Sequence, residues 1–378
     1  MIDSRDALAI LDTVWRLLPP DRPAPRARPL LRRGVLHGHV ADSGPPTEAA
    51  APAGTQTEDA GVDLSEAFAG AEPIALPGVL RPALTPLRED IERSLELFEH
   101  LRQGGRFLDV VLAALDDVPD LRPEGSTVDR LDAREIEKVY VSGLVDGRCA
   151  RGGRDVWAKL QWIARDEADL SLRVRFSCGT EHLHDWPHHV EGQKWANRLA
   201  EVLFPEGAAL TDSAELDDVL RAVVGAAPRL SERIVYSNAP AGGAVFHHDA
   251  DATQRAVLYG QLAGATAWLA LPATALAEAV VSHARETGRA DLPQARADAL
   301  RRLDQEDDHA LFGLLNEDPA FTARLAADGW LMVLEAGDAL LLPSHDREHT
   351  AWHSVFALGD APSLAHSYGV FAGDDPAD

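Results

Sequence analysis

Apolar residues along this chain follow three regimes. Near the N-terminus, Leu8, Leu11, Trp15 and Leu18 share one face at helical spacing, behind Asp3 or Ser4 as a cap, and Pro19-Pro20 ends the run. This predicts an N-terminal helix over 1–19. Over 20–77 the rhythm gives way to Pro, Ala, Gly, Thr and charge, as in "PPTEAAAPAGTQTEDAG", which predicts a largely disordered linker. Helical spacing returns over 78–130. Leu87, Ile91, Leu95 and Phe98 share a face, with Thr85 as cap and Pro86 at the first position, and a second helix is expected from about Arg106 to Leu115.

The third regime covers 131–378. "EIEKVYVSGLV", "DVWAKLQWIA" and "DLSLRVRFSCG" read as a meander of three antiparallel strands. Helices are expected at Gly192–Phe204 and Ser213–Val224, then strands at "ERIVYSNA", "GAVFHHD" and "RAVLYGQLAGATAWLALP". Residues 273–328 revert to helical spacing, closing on Asp318 as cap, Pro319 at the first position and Gly329 past the end. "WLMVL", the turn "EAGD", "ALLLP", "AWHSVFAL" and "SLAHSYGVF" complete the strands. The whole reads as a strand-rich domain with a helical insert.

Composition narrows the function. The formal net charge of −25 opposes binding to phosphate backbones or to an anionic membrane. Two cysteines, Cys149 and Cys178, with no Cys-x-x-Cys, speak against a disulfide framework or a thiolate zinc site. The first residues lack a signal pattern and no apolar run nears membrane-spanning length, so a cytoplasmic protein is expected, and nothing opposes homo-oligomerisation.

Candidate chemistry sits in "AVFHHDADATQR". A strand puts residues two apart on one face, so His247 and Asp249 can point into one cavity while His248 points away. One imidazole and one carboxylate are two-thirds of a facial triad, the set that suits Fe(II) and leaves positions for O₂ and a second ligand. The third donor is sought in "SHDREHTAWH", where His353, His349 and His345 are the candidates. A second cluster, "EHLHDWPHH", holds His182, His184, His188 and His189, but Asp185 ahead of Trp186-Pro187 reads there as a helix cap. Asp251 reads as a turn residue, and the glycines of "APAGGA" as a turn before the ligand strand.

His-x-Asp, then "GQLAGATAWLALP", "GDALLLP" and "WHSV", in that order over about 231–371, resemble the JmjC-type, cupin-like family of Fe(II)/2-oxoglutarate oxygenases. The resemblance implies an α+β chain built on a double-stranded β-helix (a cupin-like jelly roll) with flanking helices. It implies His247, Asp249 and His353 as iron ligands, with 2-oxoglutarate as cosubstrate. The family often carries a cation where this chain has Thr266, and a hydroxyl alone is a poor substitute. Beside Thr266, an arginine is therefore the expected partner of the cosubstrate's distal carboxylate, Arg255 near the start of the same strand-pair or else Arg233 or Arg347. The implied activity is hydroxylation of a peptide or protein side chain, or of a small metabolite. The alternatives are a cupin metalloenzyme without 2-oxoglutarate and a non-catalytic binding module. The helical insert could serve as a lid or a substrate wall.

Overall fold

The computed structural model describes residues 64–131, 134–163, 169–179, 189–225, 227–250, 253–305 and 308–373. The expected helix over 1–19 and most of "EHLHDWPHH" lie outside them, as does Asp251. The expected linker stops short of its assigned end. Residues 64–77 form helix α1 (Leu64–Ala69) and strand β1 (Ile74–Leu76), because Phe68, Ile74 and Leu76 have an apolar surface to bury against.

Helices α2 (Arg81–Leu84), α3 (Arg88–Arg102) and α4 (Phe107–Leu115) follow. Thr85 does not cap α3; it ends α2, and α3 begins with no side-chain cap. The helical region closes at Leu115 rather than at 130. Strands β2 (Leu121–Leu131), β3 (Arg134–Val145), β4 (Arg148–Cys149), β5 (Val156–Trp162) and β6 (Leu172–Cys178) come next. The expected three-strand meander is β3-β5-β6, and β2 adds a fourth strand at its far side. Helices α5 (Val190–Leu203), α6 (Ala208–Thr211) and α7 (Ala214–Val224) lead into β7 (Arg229–Asn238), β8 (Gly243–His247), β9 (Gln254–Ala263) and β10 (Ala265–Pro272). The insert is α8 (Ala273–Thr287), α9 (Arg296–Leu303), α10 (His309–Glu317) and α11 (Pro319–Ala327). As the pattern predicts, the Asp318 carboxylate accepts from the N–H groups of Ala320 and Phe321 at the start of α11. Strands β11 (Leu331–Glu335), β12 (Ala339–Pro343), β13 (Ala351–Leu358) and β14 (Ser363–Phe371) finish the fold.

Strands β7 to β14 divide between two sheets. One has the order β12-β9-β14-β7, the other β11-β10-β13-β8, and every described pairing among them is antiparallel. This is the strand order of a double-stranded β-helix. The first sheet grows at both sides, gaining β1 beyond β12 and β6-β5-β3-β2 beyond β7. The Gly337-Asp338 turn joins the two sheets. Gly337 takes φ +97°, and Asp338 accepts backbone hydrogen bonds from Gly78 at 2.7 Å and Glu335 at 2.9 Å.

Strand alternation sorts side chains into three apolar layers. Val139, Val174, Leu258 and Leu341 face the helices, meeting Phe98 and Leu199. Tyr259, Trp268, Ala270, Leu340 and Leu342 fill the space between the sheets. Leu269, Leu271 and Phe356 leave the outer face of the small sheet and pack on Leu276, Val280, Leu314, Phe321 and Leu325 of the insert. The insert is therefore a layer that buries the outer face of the small sheet. No helix among the described residues is long and apolar enough to cross a membrane.

Candidate metal centre

Phe246 belongs to the outer layer of the small sheet, so its neighbour His247 faces inward. On β13, Ala351 and Val355 face inward, and His353 shares their parity. The register pairs His247 directly with His353, and the ring centroids lie 4.3 Å apart. Asp249 follows the end of β8. Its Oδ1 is 3.9 Å from His247 Nε2 and its Oδ2 3.5 Å from His353 Nε2. One ligand atom from each of the three residues falls within 4.8 Å of the others.

The backbone holds both rings in the orientation that metal binding needs. His247 Nδ1 lies 2.7 Å from the Val245 carbonyl and His353 Nδ1 3.2 Å from that of Ala351. Each Nδ1–H donates to its carbonyl, which leaves the Nε2 lone pair facing Asp249. Burial pushes the His353 imidazole down to about 4, and repulsion from His247 outweighs the pull of Asp249. Burial alone would raise the Asp249 carboxyl. The surrounding imidazoles of His247, His353 and His248, with the Arg173 guanidinium, hold it below the ordinary carboxylate range. At neutral pH the set therefore contains an ionised carboxylate and an uncharged His353. The His247 and Asp249 side chains are 40% and 41% exposed while His353 is 5% exposed, so a ligand enters on the side of the first two. The donor chemistry and spacing fit Fe(II).

Distant residues fix the ligand strand. Asp169 Oδ2 accepts from the Gly243 N–H at 3.2 Å, and Ser171 Oγ accepts from the Ala239 N–H at 2.9 Å. Both pin the turn that enters β8. A Cβ on Gly243 would stand 1.9 Å from the Val355 carbonyl oxygen, so only glycine lets β8 approach β13 this closely. Asn316 of α10 accepts from the Phe246 N–H at 2.8 Å. No sequence signal marked Asp169, Ser171 or Asn316.

The remaining candidates go elsewhere. His349 is exposed and its Nδ1 is tied to the Asp346 carboxylate at 3.0 Å. His345 packs edge-on against Phe68, and burial together with the Arg255 charge lowers its imidazole. His248 turns to Asp304 at 3.3 Å and meets the Trp352 ring. Arg233 lies on the helix side of the large sheet, where its Nε donates to His366 Nδ1. Arg347 is a surface residue, 3.5 Å from Asp304. Arg255 shares the inner face of β9 with Val257 and Tyr259, at the strand's first turn toward His345.

Thr266 is wholly buried between the sheets. Its hydroxyl donates to Gln261 Oε1 at 2.8 Å and accepts from Trp268 Nε1 at 2.9 Å. Tyr259 Oη donates to the same Gln261 oxygen at 2.8 Å, and burial pushes its phenol up, so it remains a donor. These neutral groups satisfy one another. The pocket floor offers no cation at the β10 position where the resemblance places one.

No protein-family model matches the chain, and no curated protein does. Among solved structures it is similar to YcfD, a ribosomal oxygenase from Escherichia coli, in a complex with cobalt and 2-oxoglutarate. The identity is 16%, with 71% of this chain and 45% of that one covered, at a TM-score of 0.24. It is also similar to SnoN, the non-heme alpha-ketoglutarate-dependent epimerase from nogalamycin biosynthesis. That likeness has 14% identity, covers 82% and 81% of the two chains, and has a TM-score of 0.31. The chain spans less than half the length of the YcfD structures it matches. Likenesses this distant assign neither fold nor activity; the double-stranded β-helix rests on the strand order itself.

Proposed function

We propose that this chain is an Fe(II)-dependent oxygenase that uses 2-oxoglutarate and hydroxylates a peptide or protein side chain, or a small metabolite. The observation that carries this reading is the set of His247, Asp249 and His353, with donor atoms within 4.8 Å of one another at one side of the barrel. Fe(II) held by these residues supplies O₂ activation for oxidation of a C–H bond.

The chain's own part is positioning and exclusion. The Val245 and Ala351 carbonyls hold the two Nε2 atoms toward Asp249. Trp268, whose ring lies 5.6 Å from that of His353, and Tyr259 behind it close the floor to water. The exposed side at His247 and Asp249 is left for the ligands. A cupin metalloenzyme that works without 2-oxoglutarate is the second reading, favoured by the neutral, self-satisfied contacts of Thr266.

The test is anaerobic titration with Fe(II), followed by 2-oxoglutarate. About one iron per chain is expected, then a weak visible charge-transfer band, and succinate once air is admitted. Iron without band or succinate moves the assignment to the second reading. Absence of iron binding sinks both.

A further inference from the structure

The large sheet continues past β7, and its inner face extends the wall of the metal pocket. On β6, Leu172, Val174 and Phe176 belong to the helix-side core, so Arg173 and Arg175 stand on the opposite face. Arg173 pairs across the ladder with Tyr236 of β7 on one side and Gln161 of β5 on the other. Tyr236 packs on the inner layer between the sheets, with its ring 6.3 Å from that of Tyr259. Arg173 thus shares the inner face with Tyr236, one strand beyond it in the sheet.

Two polar atoms at this point have no hydrogen-bond partner although they are buried: Arg173 Nε and Gln161 Oε1. An unpaired buried donor is costly, and more so on a charged group. Neighbouring unpaired atoms on a cation and an amide, on the inner face of the sheet, mark a place for an anion. The amide of Gln161 can turn its NH₂ toward such a guest. A chain of net charge −25 repels anions in general, so a guanidinium on this face acts selectively. The floor at Thr266 supplies no competing cation.

We propose that Arg173, with Gln161 beside it, is the carboxylate anchor of the metal pocket. The inference rests on the oxygenase reading above and names the residue that its ligands require. The carboxylate belongs either to 2-oxoglutarate or to an acidic substrate. A guanidinium reads both in the same way, through a charge-assisted, two-pronged contact.

Three probes separate these sources. Pyruvate carries the keto acid of 2-oxoglutarate without the distal carboxylate, and glutarate carries two carboxylates without the keto group. Calorimetric titrations would use the full chain, metal-free and loaded with Mn(II), as wild type, Arg173→Leu, Arg173→Lys and Arg255→Leu. If the anchor serves the cosubstrate, Arg173→Leu weakens 2-oxoglutarate binding about tenfold to a hundredfold and leaves pyruvate unchanged, as expected for one lost charge-assisted contact. If it serves a substrate, Arg173→Leu weakens glutarate by a similar factor and spares 2-oxoglutarate. Arg173→Lys recovers part of either loss, which also covers the case in which the leucine variant fails to fold. Arg255→Leu stays within about twofold of wild type. The proposal is overturned if neither Arg173 variant departs from wild type for any probe. It is equally overturned if the wild type binds none of the three at about 10 mM. Failure of the oxygenase reading shows separately, as wild-type protein that takes up no metal, and the metal-free glutarate titration still reads Arg173.

Discussion

The side chain of Asn316, in the third helix of the insert, accepts the backbone N–H of Phe246, one residue before His247. Strand β8 lies at the edge of the small sheet, so this N–H has no neighbouring strand to bond. An amide from the insert substitutes for that strand. Asn316→Ala leaves the N–H unpaired under a helix, at a cost of ~1–3 kcal/mol. Urea unfolding should show the loss. Fe(II) affinity should fall by roughly tenfold, as for other removals of groups that orient a metal ligand. Unaltered iron affinity would mean that β8 keeps its place without the insert.

His247→Ala, Asp249→Ala and His353→Ala should each remove most of the bound Fe(II), measured by metal analysis after anaerobic loading. His349→Ala should keep it, because His349 is tied to Asp346 at the surface. Iron retained by His353→Ala but lost by His349→Ala would require the loop after β12 to rearrange on binding.

Thr266→Val tests the pocket floor. The substitution keeps the shape but leaves the Trp268 N–H without its acceptor, for a loss of ~1–3 kcal/mol in unfolding free energy. Affinity for 2-oxoglutarate should stay within about twofold of wild type. A tenfold loss would place the cosubstrate at Thr266 after all.

Stability of the metal-free protein should fall on acidification. His366 is fully buried, with Nε2 2.9 Å from Glu206 and Nδ1 accepting from Arg233. Burial first, and the Arg233 charge second, lower its imidazole from 6.5 to about 4. Between those values the unfolded chain takes up a proton that the folded chain refuses. The contribution is full above about pH 6.5 and fades as pH falls toward 4, amounting to roughly 3 kcal/mol. Urea midpoints measured at intervals between pH 7.5 and 4.5 should track this fall. His353, lowered to about 4 mainly by burial, adds to the same fall, and a flat profile would show that the folded protein accepts protons on both imidazoles.

The part of the fold that follows local patterning was readable. The strands with alternating apolar residues, the insert with its Asp318-Pro319 start, and the spacing of His247 and Asp249 all come from periods of two or 3.6 residues. What escaped depends on distant partners. "LRPEGSTVDRL" has neither period, and becomes β2 only because β3 offers a ladder. Leu76 reads as part of a polar tract until β12 is in place beside β1. Asp169 and Asn316 are ordinary polar residues whose partners lie 74 and 70 positions away. Between His353 and His349, the Trp-His-Ser-Val context already favoured His353, and the register adds its direct pairing with His247.

The placement of the insert between β10 and β11 also sets a timetable. His247 and Asp249 precede His353 by 106 and 104 positions, and all four insert helices are synthesised in that interval. The first two donors emerge from synthesis well before the third, and β8 has no partner strand until β13 arrives. A two-donor site prefers whichever free divalent ion ranks highest in intrinsic affinity, with Cu²⁺ above Fe²⁺. On the Fe(II) reading proposed above, correct metallation of a newly made chain would depend on when β13 docks, so the supply of iron at that moment, and the time a competing ion needs to leave, would decide which metal the finished protein carries.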